Sequence, residues 1–343
     1  MIQTVDGPNT VALRREILHL PLADDRIAVI TCKRPDAASA RGAVLLVHGF
    51  AQNRFSWHLP QRSFANYLVS RGLLVLNCEL PGHGRSREAG SAPAVSFDDY
   101  VTDLPAIVRS LCESSGVSQV FGIGHSLGAA KLFAAAPTIG NGLAGLVSIA
   151  GLYRVSFGML GLLDRVAGIG SRLGGLAGFP DWKLGLPVDH LGKVLLGGIR
   201  FFDSRLNKLP FMPWRAGSAE REVIDGRVRE GFDKVNAGVA HDIFDWAGKG
   251  RFTSRDGTID YAARFAELQD LPLLVITGDS DPLSAPEQSR AAYEESRSRD
   301  KTYRNFSEAE HGVPFGHIDL ICGDAAPRLV WPEIADWIEA RLV

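Results

Sequence analysis

Three residue types at separated positions could together do nucleophilic chemistry on a carbonyl: a serine between glycines, an aspartate in a later turn, and a histidine beyond it. The serine is Ser126, in Gln119-Val-Phe-Gly-Ile-Gly-His-Ser-Leu-Gly-Ala-Ala-Lys-Leu-Phe133. An apolar run ends at Gly122, Gly124 to Gly128 form a turn, and helix-forming residues follow. That is the strand–turn–helix setting a G-x-S-x-G elbow requires. A serine at such a tip has a strained backbone, and a Cβ at either flanking glycine would collide with neighbouring chain. The N–H of Leu127, at the positive end of the new helix, would face the same space as the Ser126 hydroxyl. With 37 glycines in 343 residues a chance match is a real risk, yet no other serine here has glycine at both minus two and plus two.

Acyl transfer also needs a base, a group to hold the base, and donors for the oxyanion. A buried-strand pattern ends in Gly278-Asp279-Ser280-Asp281-Pro282, which offers Asp279 or Asp281 as the acid. After the last strand lie His311 and His317, either of which could be the base. The order nucleophile, acid, histidine recurs in known triads, and each candidate follows a strand's carboxyl end, where open α/β sheets place their sites. A histidine base must be neutral, so activity is expected to rise through roughly pH 6–7.

The elements that must position these groups can be read in order. Arg15–Leu20 and Arg26–Cys32 pattern as a hairpin. Gly42–Val47 is a continuous apolar run, the mark of a strand buried on both faces, and leads as the third strand into His48-Gly49-Phe50. Ser63–Arg71 has helical spacing, Leu73–Leu76 is the next strand, and Pro81–Ser86 is a turn. Phe97–Cys112 places Tyr100, Leu104, Ile107 and Leu111 on one helical face. Strands follow at Gly145–Ala150, Leu271–Thr277 and Lys301–Phe306, and Trp331–Leu342 closes as an amphipathic helix. The alternation predicts a mostly parallel, doubly wound α/β sheet.

From Tyr153 to Asp256 the buried-strand pattern stops. A stripe of Leu162, Val166, Ile169, Leu173 and Leu176 and an amphipathic segment, Glu220–Val239, predict a helical insertion. The expected division is 1–152 as the first part of the core, 153–256 as an inserted cap, and 257–343 as the second part. Phe157, Met159, Leu160, Phe201, Phe202, Phe211, Trp214, Phe244 and Trp246 could glue this cap down or line an acyl site.

Composition excludes several classes. A net charge of −2 gives no reason to expect nucleic acid or an anionic membrane as partner. Cys32, Cys78, Cys112 and Cys322 show no ligand spacing, so reduced thiols, no metal and no cofactor are expected. The first residues do not read as a signal peptide. The uncharged run Leu132–Tyr153 raises a membrane span, but Pro137, Asn141 and several glycines divide it into helix, turn and strand. The expectation is a cytoplasmic protein without stable membrane insertion.

Together His48-Gly49, Pro81-Gly-His-Gly-Arg-Ser86, the Gly-His-Ser-Leu-Gly elbow, Gly278-Asp-Ser-Asp-Pro282 and Gly316-His317 resemble the α/β-hydrolase superfamily over the whole chain. Phe315–Gly323 with Val330–Trp337 is similar to the carboxyl end of acid-lipase-like and polyhydroxyalkanoate-synthase-like members. The resemblance implies the α/β-hydrolase fold and a Ser126, Asp281, His317 triad. Asp279 and His311 are the alternates, and the N–H groups of Phe50 and Leu127 form the oxyanion hole. It implies hydrolysis of a small or lipid-like carboxylic ester with an apolar acyl part. Acyl transfer or thioester cleavage by the same triad is the alternative, as is a non-catalytic ligand-binding role. The synthases carry cysteine at the elbow and epoxide hydrolases aspartate; serine here points to hydrolysis of an acyl-enzyme. Arg54, Trp57 and His58 could line the acyl site, whereas His48, His83 and His125 suit structural roles.

Overall fold

The apolar runs become the inner strands of a nine-stranded sheet. In this computed structural model residues 1–155, 185–186, 203 and 212–342 are described. The strands are β1 Ile2–Asp6, β2 Asn9–Pro21, β3 Ile27–Pro35, β4 Ala43–Val47, β5 Leu74–Glu79, β6 Val120–His125, β7 Leu143–Ile149, β8 Leu273–Gly278 and β9 Lys301–Phe306. Their spatial order is β1-β2-β3-β5-β4-β6-β7-β8-β9. The β1/β2, β2/β3 and β3/β5 pairs are antiparallel; all pairs from β5 to β9 are parallel.

Burial explains the division. Every residue of β4, β5, β6 and β8 is buried, as expected of parallel strands with both faces covered. Most of β2 is exposed, and its polar alternation suits the antiparallel margin. The sheet carries one strand more than the sequence reading at its start. Ile2-Gln-Thr-Val-Asp6 pairs with β2 although only Val5 is buried. The strand entering His48-Gly49 is therefore the fourth.

The principal helices are α1 Phe64–Ser70, α2 Phe97–Ser115, α3 Leu127–Ile139, α4 Arg221–Gly231, α5 Ala237–Lys249, α6 Pro286–Glu295 and α7 Ala326–Glu339. Ser96 and Asp99 form a reciprocal capping box on α2, and Gly116 closes it in the left-handed region. The expected single amphipathic segment Glu220–Val239 is two helices, because the chain extends from Phe232 to Asn236 and Asn236 caps α5 by accepting from the Gly238 N–H. The uncharged run 132–153 divides as expected into the end of α3, a turn at Gly140–Gly142 and β7. Among the described residues no helix is long and apolar enough to cross a membrane.

Two apolar clusters fill the two faces of the sheet, one against α2 and α3, the other against α1 and α7. Trp246, Phe252 and Val239 belong to the first, and Trp246 meets Phe97 edge to face at 4.6 Å. A third cluster gathers Leu59, Met212, Trp214, Val223, Ile224, Val228, Ile318 and Cys322 beside the carboxyl ends of the strands. Phe157, Met159, Leu160, Phe201, Phe202 and Phe211 and the stripe Leu162 to Leu176 lie outside the described residues. All four cysteines are free.

Candidate active site

The elbow turns because its glycines permit contacts no side chain would. Ser126 stands at φ 56°, ψ −125°, a left-handed conformation that costs a non-glycine residue of order 1–3 kcal/mol. A Cβ on Gly128 would overlap the carbonyl oxygen of Val47, and one on Gly124 would overlap the backbone of Ala129. The first approach joins α3 to the end of β4 and the second folds the turn onto its own helix. The Ser126 N–H donates to Ile149 O at 3.0 Å, tying the tip to β7. α3 begins at Leu127, so its N–H has no acceptor within the helix.

Asp281 and His317 come together from loops after β8 and β9. His317 Nδ1 lies 2.7 Å from Asp281 Oδ2, with both residues buried. The other carboxylate oxygen accepts from the N–H groups of Leu283 and Ser284 at 2.8 and 2.9 Å. Fully engaged in this way, the carboxylate fixes the ring: Nδ1 carries the proton and Nε2 keeps a lone pair. Ser126 and His317 line one cavity of about 220 Å³, together with Phe50, Ala51, Gln52, Trp214, Arg227, Val228, Phe232, Leu283 and Ile318 among others.

The alternates sit apart from this cavity. Asp279 is exposed and accepts from the Glu308 N–H at 2.8 Å and the Phe315 N–H at 3.0 Å, bracing the loop that carries His317. The His311 Nδ1 lies 3.2 Å from its own helix's Ser307 O, and its ring packs 5.0 Å from Phe306.

Buried groups around the site hold the backbone. His48 Nδ1 bonds Gly49 O at 3.0 Å while its Nε2 accepts from the Leu80 N–H. His125 Nε2 donates to His317 O at 3.0 Å, and the two rings are 4.6 Å apart. Burial pushes the pKa of both His48 and His125 well below the ordinary histidine value, so both are neutral bracing groups. His83 lies 3.0 Å from the Tyr100 hydroxyl, within the turn that Pro81 begins. Asp319, buried beside His317, accepts from the N–H groups of Gly316 and Arg215 and from the Ser218 hydroxyl. Burial raises its pKa to about 6.

The loop after β4 contributes other residues than Arg54, Trp57 and His58. Arg54 pairs with buried Glu79 at 2.8 Å, Trp57 is buried against Phe64, and His58 bonds Ser63. None of these three is among the cavity's lining; Phe50, Ala51 and Gln52 are. Of the large apolar groups expected in the cap, Trp214 lines the cavity, Trp246 packs into the core, and Phe244 is exposed. Sequence reasoning passed over Gln52 and Arg227. A glutamine in a loop and an arginine on an amphipathic helix carry no signal that sets them apart from solvated positions.

The family described as alpha/beta hydrolase fold matches residues 42–317. The chain belongs to the α/β-hydrolase family. Among solved structures, a soluble variant of the monoglyceride lipase of Saccharomyces cerevisiae, in complex with a substrate analogue, is similar at 16% identity and TM-score 0.66, covering 99% of this chain and 100% of that one. The Paleococcus ferrophilus monoacylglycerol lipase is similar at 19% identity and TM-score 0.60, covering 96% and 100%. A thioesterase domain from the curacin biosynthetic pathway is similar at 15% identity and TM-score 0.57, covering 96% and 99%. At these identities the likeness is one of fold. No curated protein matches the chain.

Proposed function

We propose that the protein is a serine hydrolase of carboxylic esters, with Ser126 as nucleophile, His317 as base and Asp281 as its orienting acid. The observation that carries this reading is the 2.7 Å bond from His317 to Asp281 beside a mostly apolar cavity that Ser126 also lines. With Nδ1 held by the carboxylate, Nε2 is the atom left to take the hydroxyl proton as Ser126 attacks the ester carbonyl. The N–H groups of Leu127 and Phe50 then receive the oxyanion, and the imidazolium returns its proton to the departing alcohol. Water, activated by the same imidazole, resolves the acyl-enzyme and releases the acid. The apolar walls fit an apolar acyl part. In this reading 153–256 is a cap over the core parts 1–152 and 257–343, the substrate is a small or lipid-like ester met in the cytoplasm, and neither nucleic acid nor stable membrane insertion is involved.

The test is intact-mass analysis after treatment with a fluorophosphonate, with Ser126→Ala, His317→Ala and His311→Ala in parallel. One adduct is expected on Ser126, lost in Ser126→Ala and strongly slowed in His317→Ala, with His311→Ala labelling as the parent does. A folded protein that takes no adduct would sink the proposal.

A further inference from the structure

The apolar cavity has one charged corner that the ester chemistry above does not use. Arg227 on α4 lines the cavity and is only 5% exposed. Its guanidinium packs against Gly231, another lining residue, where an added Cβ would collide with Arg227 Nη1. Among the described residues its hydrogen bond goes from Nη2 to Ser56 Oγ at 3.3 Å, and no carboxylate pairs with it. The acidic group acting on it is the Cys322 thiol, which burial raises to about 12 and so keeps neutral. Charges held away from water are ordinarily paired. Here the described protein supplies no anion.

The neighbouring bonds orient a second donor. Arginine can only donate, so Ser56 accepts from Arg227 and gives its own proton to Gln52 Oε1, 2.9 Å away. With Oε1 engaged, the Gln52 amide group turns its N–H donors elsewhere, and Gln52 lines the same cavity. This corner is close to the nucleophile. An ideal Cβ on Gly49 would stand 3.1 Å from Ser126 Cβ and 3.2 Å from Gln52 Oε1, so these two atoms are no more than about 6 Å apart. A planar guanidinium, with its donors held in a rigid fork, matches a carboxylate, which accepts in a fork. Among the described residues no second arginine and no lysine lines the cavity, which suits a single negative charge.

We propose that Arg227, aided by Gln52, is a carboxylate subsite, and that the ester acted on at Ser126 is a half-ester of a dicarboxylic acid. Its methylenes lie along the apolar wall and its free carboxylate meets Arg227. This rests on the hydrolase reading for the word ester; the subsite itself does not need turnover.

Binding to Ser126→Ala protein therefore tests it. Monomethyl adipate and neutral dimethyl adipate are titrated by calorimetry against Ser126→Ala alone and combined with Arg227→Gln or Arg227→Lys. The half-ester is expected to bind about 10- to 100-fold more tightly than the diester, the ratio a charge-assisted bond in a dry site supports. Arg227→Gln should bring that ratio close to one, and Arg227→Lys should keep part of it. Should Arg227→Gln fail to fold, the Arg227→Lys ratio and the parent ratio decide. Equal binding of the two ligands by the parent, no binding of either, or a preference that survives Arg227→Gln overturns the subsite. Fluorophosphonate labelling of Ser126 separates the two readings: labelling without half-ester preference removes the subsite alone, and preference without labelling removes the hydrolase reading alone.

Discussion

At the scale of single residues, the site separates two aspartates that are one residue apart in sequence. Asp281 gives one oxygen to His317 and the other to two backbone N–H groups, whereas Asp279 holds Glu308 and Phe315. Replacement should distinguish them by kind. Asp281→Asn removes the acceptor that fixes the His317 tautomer, and kcat on a model ester should fall by about 10³–10⁴-fold with little change in melting temperature. Asp279→Asn loses one of two backbone acceptors, so kcat should stay within about tenfold while stability drops by about 1–2 kcal/mol. Steady-state kinetics with thermal melts check both, and a large kcat loss in Asp279→Asn would reverse the assignment. The elbow that presents Ser126 was legible from sequence because a strained turn needs glycine at fixed positions. The choice between Asp279 and Asp281 was not, because both sit in the same turn and only the partner across the fold tells them apart. That Gln52 and Arg227 line the cavity left no trace, because a place on its wall arises from the fold, which their residue types do not announce.

At the scale of elements, the strands were legible where burial on both faces leaves an unbroken apolar run, as in Val44-Leu-Leu-Val47. They were not where only an edge is used, as in β1. Helix α3 shows the converse. Its first ten residues, Leu127 to Ala136, are all buried, as expected of a helix enclosed on every side, and Lys131 is carried inside with them. In sequence Ala-Ala-Lys-Leu reads only as helix-forming. In the structure Lys131 Nζ has His48 O at 3.4 Å and the Tyr100 ring centroid at 4.1 Å, and burial lowers its pKa to about 7. The sign follows from linkage. The unfolded chain holds its proton up to the ordinary lysine value, so the stability contributed above that value is lost progressively as pH falls toward 7, and no further below it. Lys131→Met keeps the volume and removes the charge. It should therefore raise the melting temperature relative to the parent, most at pH 7 and below, with the difference shrinking toward pH 10. Melts of both proteins across that range check it; a difference that grows with pH would show that Lys131 is not held against its charge.

At the scale of the whole molecule, stretches far apart in sequence are joined at buried Arg62. Its Nε donates to Asp6 of β1 at 2.7 Å, Nη1 to Cys322 O at 3.0 Å and to Asp324 at 2.8 Å, and Nη2 to Glu220 at 3.0 Å. One guanidinium thus ties the first strand, the segment leading into α4, and the turn that follows His317. Separations of 56, 158 and 262 positions put these partners beyond any local pattern, which is why the sequence does not announce them. Arg62→Met would leave three carboxylates and a carbonyl facing an apolar side chain. Breaking a buried pair costs about 3–5 kcal/mol, but Asp324 and Glu220 are partly exposed and water can take over some of their bonding. The expected loss is therefore about 2–3 kcal/mol, a fall of roughly 3–4 °C in melting temperature for a chain of this size. Arg14→Met is the control: its bond to Asp36 is as short, 2.9 Å, but the side chains are 71% and 47% exposed, so the melting temperature should stay where it is in the parent. Because Arg62 holds the Cys322 carbonyl, hydrogen exchange at 316–322 should quicken in Arg62→Met and not in Arg14→Met, and fluorophosphonate labelling of Ser126 should slow with it. Equal melting temperatures for the two variants would mean that the three stretches hold together without this residue, and that His317 owes its place to the sheet alone.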